Sequence, residues 1–348
     1  MLHRFDTDIE GIELPAQFTY PFHYTPHPLC RVAAEQVQRY IASRAEWHDE
    51  LCAGKMFGVL VVESDGDIGF LAAYSGNLAG RNDHEYFVPA VYDMLRPDDF
   101  FRRGESEISA INRQIITMEA SEELMRARQR YDATKSECDT ALKALKMRLA
   151  EGKALRRRLR EAGTCSEEEL ILASQRENAE ALREKRALKQ RLDEATLHLD
   201  VLHGAIDELR RERQHRSAAL QMQLFAQFKM LNAEGVERDL CELFAPTAQQ
   251  IPPAGAGECA APKLLQYAFK HAMRPVAMAE FWWGDSPKGE VRQHGCFYPA
   301  CNGKCKPILT HMLVGLDVEP NPLMEIAPPE PKVLWEDEWL VAIDKPSG

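Results

Sequence analysis

The chain contains no uninterrupted apolar stretch of about 18 residues, the length a membrane helix needs, so no membrane span is expected. Its first residues, MLHRFDTDIEGIELP, lack the apolar core of a secretory signal, which points to a cytoplasmic protein. Positive charge is scarce: 43 Lys and Arg face 54 Asp and Glu, leaving a net charge of −11. Phosphate binding rests on Lys and Arg, so any RNA contact must come from a local basic surface or from a further domain. Proline, 20 residues of it overall, is missing from about Glu105 to about Asn232. The nine cysteines are odd in number and have no secretory signal. They read as reduced thiols or metal ligands and not as a disulfide framework. What is present suffices for a packed core: 348 residues, 45% of them hydrophobic, a length that suggests two or three domains.

The proline-free stretch turns helical. Leu188, Leu192, Ala195, Leu199, Leu202, Ile206 and Leu209 alternate spacings of four and three, the seam of a coiled coil. Ile108, Ile111, Ile115, Met118 and Met125, then Leu142, Leu145, Leu149 and Leu159, form a looser second seam. Between the two lies Gly163-Thr164-Cys165-Ser166. Glycine suits a helix C′ position, and Ser166 with Glu169 fits a capping box. The expectation is an antiparallel hairpin over 105–232 with its turn near 163–166, an arm of roughly 55 residues reaching about 80 Å. Gly152 in its distal part would suit a bend or a frayed tip, since glycine costs a helix roughly 1 kcal/mol against alanine. Lys153, Arg156, Arg157 and Arg158 crowd the approach to the turn. They read either as a solvated helix face or as an electrostatic hand for RNA, a ribosomal surface or a protein partner. No aromatic residue accompanies them, so a nucleic-acid contact there would be to phosphate.

The residues around the arm read as one globular domain split by it, 1–104 and 233–327. Arg31–Ser43 has the pattern of an amphipathic helix. Phe57–Val62 and Gly69–Ser75 are apolar runs joined by Ser64-Asp65-Gly66-Asp67, a strong hairpin signal. Nearly every position in both runs is apolar, which predicts burial on both faces. After the arm, a helix opens at Cys259-Ala260-Ala261-Pro262, Pro275–Trp283 reads as a buried strand, and Pro299-Ala300-Cys301-Asn302-Gly303-Lys304-Cys305 leads into a helix over Ile308–Leu316. The fold class expected is α+β or α/β, a small mixed sheet interrupted by the helical hairpin.

Thiolates at helix starts are favoured by the macrodipole, and closely spaced cysteines can share a tetrahedral zinc. The order helix, hairpin, helix, strand, helix, with Cys259 ahead of one helix and Cys301 and Cys305 ahead of another, resembles the zinc deaminase fold. That resemblance implies a zinc on Cys259, Cys301 and Cys305, with water, His294, Cys296 or His311 as a fourth ligand. Two departures stand out. Alanine at 261 occupies the position of the proton-transferring glutamate, and the second spacer has three residues where the family has two. The resemblance therefore implies a degenerate domain with a structural zinc. The alternative reading of the cysteines is small packed hydrophobes.

The last residues, VLWEDEWLVAIDKPSG from Val333 to Gly348, resemble the opening of the catalytic domain of RluA-family pseudouridine synthases. This implies that 328–348 are a linker and the start of that domain, and that the full protein isomerises uridine in ribosomal or transfer RNA without a metal or organic cofactor. The family's catalytic aspartate lies in an H-R-L-D-x-x-T-S-G-like motif. The chain's one Arg-Leu-Asp, Arg191-Leu192-Asp193, lacks the Thr-Ser-Gly flank and sits on the coiled-coil seam. No catalytic residue is assigned, and the chain alone is expected to be inactive in pseudouridylation. A plain coiled-coil scaffold for protein interaction is the remaining alternative.

Overall fold

The structure is a computed structural model that describes residues 1–96, 99–287, 289–325 and 332–344. In chain order, α1 (Pro28–Ala42) and the short α2 (His48–Cys52) precede the hairpin β1 (Lys55–Ser64) and β2 (Asp67–Tyr74). Three long helices follow: α3 (Phe100–Glu119), α4 (Glu122–Ala162) and α5 (Glu167–Gln227). The chain continues through β3 (Lys229–Leu231), β4 (Glu237–Asp239), α6 (Leu240–Phe244), α7 (Ala260–Lys270), β5 (Arg274–Trp283), β6 (Phe297–Tyr298) and α8 (Cys305–Met312). It closes with α9 (Pro322–Glu325) and the hairpin β7 (Lys332–Glu336) and β8 (Val341–Asp344). The protein is thus mixed α and β, about half helical, with small antiparallel sheets. It divides into two compact units: Met1–Arg102 together with the chain from Gln221 onward, and Arg103–Leu220.

The first unit is built on a four-stranded sheet in the order β2-β1-β5-β6, every neighbour antiparallel. Ser64 pairs with Asp67 across the turn, where Asp65 and Gly66 have φ of 53° and 83°. That is the left-handed geometry that a two-residue hairpin loop demands. Phe57 and the run Val59–Val62 are fully buried because β1 is covered on both faces. Phe57, Val59 and Val61 pack with Leu29, Ala33, Val37 and Ile41 of α1. Leu60 and Val62 pack with Leu264, Leu265 and Ala268 of α7 and with Ile308 and Leu309 of α8. Helix α8 starts earlier than Pro307 alone suggests. Proline stands third in the helix, where the first N–H groups lack intrahelical partners in any case, so the helix begins at Cys305 and ends at Met312.

The second unit is a helical pair running antiparallel. Arg216–Glu107, Arg210–Glu119, Arg191–Glu137, Arg148–Glu184 and Arg156–Glu177 join residues on opposite sides of the same turn. Gly163 takes a left-handed φ of 64°, and Ser166 and Glu169 exchange hydrogen bonds at the start of α5. On α5 the seam positions Ala195 and Ile206 are buried, and Leu188, Leu192, Leu199, Leu202 and Leu209 are half-buried. The first arm differs from its expected course. It breaks at Ala120-Ser121, where the Ser121 hydroxyl caps α4 by accepting the Leu124 N–H at 3.2 Å. Met125 is consequently 53% exposed, while Ala127, Cys138 and Leu145 take the buried positions. Gly152 lies within the unbroken α4, and a Cβ there would lie 2.2 Å from the Glu177 carboxylate, so the glycine makes room for the Arg156–Glu177 pair. Deleting the buried Leu145 side chain should cost about 3 kcal/mol, whereas Arg148→Ala, in an exposed pair, should leave the melting curve of the unit unchanged. Comparing the two variants by thermal circular dichroism checks which interaction holds the arm.

Candidate functional site

Cys259, Cys301 and Cys305 come from two separate places in the chain and line one cavity of about 370 Å³. Cys259 is the N-cap of α7, and its thiol makes no capping bond, which leaves the sulfur to face the cavity. Cys305 is the first residue of α8, and Cys301 precedes it by one turn. The three thiols influence one another's ionisation. Cys301 is held below the ordinary thiol value, chiefly by its neighbours Cys259 and Cys305. Cys259 is pushed up, chiefly by Cys301, and Cys305 is pushed up by both neighbours and by burial.

The cavity holds one group absent from the sequence-based site. Glu280 lies in the middle of β5, buried among Ala277, Met278, Ala279, Phe281 and Trp282. Burial pushes its carboxyl up to about 7, against the opposing Ala261 N–H. That N–H donates to Oε1 at 3.2 Å and is its one hydrogen-bond donor among the described residues. The Glu280 backbone N–H donates to the Tyr24 hydroxyl at 2.9 Å, and that hydroxyl donates to the Tyr298 carbonyl at 2.9 Å, which fixes the strand at this point. A lone carboxylate in an otherwise apolar strand was the available signal in the sequence. The rest of the lining is Met56, Ser75, Trp282, Pro287 and Pro299, with Arg292 and Glu290 paired at 2.8 Å. Arg292 sits over the rings of Trp282 and Tyr298, 5.3 and 5.2 Å from their centroids.

Beneath the site, the Lys263 ammonium donates to the Tyr74 and Gly76 carbonyls at 2.9 and 2.7 Å, tying α7 to the end of β2. Burial lowers its pKa to about 8.

The three proposed companions of the thiols lie elsewhere. His294 accepts the Gly284 N–H and packs on Trp283, Cys296 faces Gln293, and His311 is buried against the Met230 carbonyl at 3.0 Å. None of them lines the thiol cavity. Among the described residues, no group of three or more His, Cys, Asp or Glu side chains is placed so that it could hold a metal ion. The donor chemistry nevertheless fits zinc. Three cysteine sulfurs lining one cavity are the ligand type that a structural zinc takes. A larger hollow of about 690 Å³ beside α2 and Trp283 contains His48 and Cys52, 3.5 Å apart, both on the exposed surface. It lacks the buried charge that marks the thiol cavity.

On the helical unit, the basic residues near the turn divide. Arg156 is drawn into the Arg156–Glu177 pair, with side chains only 19% and 20% exposed, and Arg157 pairs with Glu161. Lys153 and Arg158 are exposed and have no ion-pair partner among the described residues. Asp193, of the Arg-Leu-Asp triplet, is exposed on α5. Lys345 to Gly348, the turn of the RluA-like motif, lie outside the described residues.

No protein-family model, no curated protein and no solved structure matches the chain. Among the described residues, no helix is long and apolar enough to cross a membrane.

Proposed function

We propose that the globular unit binds zinc through Cys259, Cys301 and Cys305, and that the chain serves as an RNA-directed accessory region of an RluA-like pseudouridine synthase. The observation that carries the zinc reading is the meeting of three thiols in one cavity. The order α1, β1, β2, α7, β5, α8, with the cysteines at the starts of α7 and α8, supports a deaminase-like plan. When bound, the ion would tie the starts of α7 and α8 together and polarise a small ligand in the cavity. The protein's own contribution is to supply cysteine sulfurs that lose their protons on binding, which makes affinity rise with pH.

The pseudouridine synthase reading draws on β7 and β8. The hairpin carries the family-like motif, and large apolar side chains of its connecting turn are exposed, Trp339 at 86% and Leu340 at 67%. A lone two-stranded hairpin is marginal in water, so these side chains suit burial against more protein. Ribosomal or transfer RNA is the partner this reading implies, approached in part through Lys153 and Arg158. Uridine isomerisation would need neither metal nor organic cofactor and would fall to residues other than those described here.

The test is metal content. Purified protein should carry one zinc ion per chain by plasma emission spectrometry, and Cys301→Ser or Cys305→Ser should lose most of it. A wild-type chain purified without reducing-agent damage and still free of zinc after incubation with it would reject the site.

A further inference from the structure

In the distal part of α4, Lys143, Lys146, Ala150, Lys153, Arg157 and Arg160 are all exposed and alternate spacings of three and four. That alternation lines up one face of a helix, and from Lys143 to Arg160 the face holds no acid. Arg157 and Arg160 are met by Glu161 and Glu167, whereas Lys143, Lys146 and Lys153 have no ion-pair partner among the described residues. Counted at about 100° per residue, Arg148 and Glu137 stand on one side of the buried Leu145, and Lys146 and Lys153 on the other. Round α5, Glu184 and Arg191 stand on one side of Leu188, and the exposed Lys185 and Lys189 on the other. The Arg148–Glu184 and Arg191–Glu137 pairs show which sides of the two helices meet. The unpaired lysines of both helices therefore share the opposite side. Like charges at neighbouring positions repel, and a chain with 54 acids against 43 bases has carboxylates to spare. Positive charge is nevertheless gathered here without an acid to balance it among the described residues.

We propose that this lysine side of the arm docks the phosphate backbone of an RNA double helix, independently of its sequence. The inference rests on the RNA-directed reading above and adds to it the form of the RNA and the surface that takes it. Lysine is depleted at protein–protein interfaces, whose energy centres on aromatic and arginine anchors, and no aromatic residue occurs between Lys143 and Lys189. Single-stranded RNA is held largely by bases stacked on aromatic side chains, which this side lacks for the same reason. Paired RNA presents its phosphates on a stiff rod that is recognised by shape and backbone contacts. The row from Lys143 to Arg160 is a continuous stretch of one helix, about 25 Å at 1.5 Å per residue, and can lie along such a rod. A lysine that neutralises a phosphate releases a counterion, so affinity falls as salt rises.

The triple variant Lys143→Gln/Lys146→Gln/Lys153→Gln keeps good helix formers at exposed positions, so its circular dichroism should match that of wild type. The full chain is titrated over a salt series with an RNA stem-loop, an unpaired RNA of equal length and polyglutamate, and binding is read by fluorescence anisotropy. Wild type should prefer the stem-loop, and a stem of shuffled sequence should bind alike. The triple variant should bind the stem roughly tenfold more weakly, with a log–log salt slope shallower by about 3. Arg148→Gln/Glu184→Gln removes a pair from the other side without changing the net charge and should bind as wild type does. A triple variant with wild-type affinity and slope overturns the inference and leaves RNA binding to other surfaces. Unpaired RNA or polyglutamate bound as tightly as the stem overturns the choice of partner, in favour of single strands or an acidic protein. A wild type that binds no RNA rejects the RNA-directed reading and this inference with it.

Discussion

Gly284→Ala should destabilise the globular unit by about 4 kcal/mol and lower its melting temperature by about 10 °C. Gly284 has φ of +101°, and an added Cβ would lie 2.0 Å from the Leu51 carbonyl oxygen and 2.8 Å from both N and Cα of Gly54. Every one of these atoms is backbone, so no side chain can turn aside. Gly54, at φ +94°, is constrained in the same way: its Cβ would meet Trp282 Cζ2 at 2.3 Å and the Asp285 carbonyl oxygen at 2.4 Å. The end of α2 and the end of β5 therefore cross through two glycines, held by Asp285 N–H to the Cys52 carbonyl at 2.8 Å. Trp282, a wall of the thiol cavity, is anchored at this crossing through its indole N–H to the Asp285 carbonyl at 2.9 Å. Gly235 is the control. Its φ is +80°, but nothing lies within 4 Å of an added Cβ. Gly235→Ala should cost only the left-handed penalty of about 1–2 kcal/mol. Differential scanning calorimetry on both variants separates crowding from backbone strain, and equal losses would contradict the crossing.

The second large effect concerns pH. A carboxyl whose folded pKa is raised binds its proton more tightly in the native state than in the unfolded chain. Its stabilising contribution is complete below the unfolded value and disappears as pH rises through the folded one. For Glu280 the window runs from 4.5 to about 7. Across it, the zinc-free protein should lose about 3 kcal/mol of stability relative to Glu280→Gln. The two proteins should be nearly equal at pH 4.5, with the glutamine variant the more stable above pH 7. Urea denaturation of chelator-treated protein at several pH values reads this directly. Parallel curves for the two proteins would mean that the carboxylate is far better solvated than its place in β5 indicates. A stabilising loss of charge at neutral pH is the signature expected of a group retained for chemistry.

How much of this could be read from residues alone varies with the range of the interaction. The β1–β2 hairpin was legible because Asp65-Gly66 is a local signal between two apolar runs. The α5 seam was legible because its period repeats through Leu188, Ala195, Leu202 and Leu209. The convergence of Cys259, Cys301 and Cys305 on one cavity was anticipated, since both helix starts follow from short-range patterns. The break at Ala120-Ser121 was not anticipated. It needs neither proline nor glycine, only a serine placed to cap α4, and serine is common inside helices. The role of Gly152 was also hidden, because it depends on Glu177 in the opposite helix. The sequence likewise could not show that Arg156 is spent on that same glutamate while Lys153 and Arg158 are not. Glu280 escaped notice for a similar reason. Its meaning lies in meeting Ala261 and the thiols in space, and in sequence it is only one polar residue in a buried strand.

X-ray absorption at the zinc edge tests the central claim most directly. Zinc-loaded protein should show three sulfur neighbours at about 2.3 Å and one lighter atom at about 2.0 Å, with a sulfur lost in each single Cys→Ser variant that still retains metal. A spectrum with only nitrogen and oxygen neighbours, or one unchanged by substitution of Cys259, Cys301 and Cys305, would contradict it.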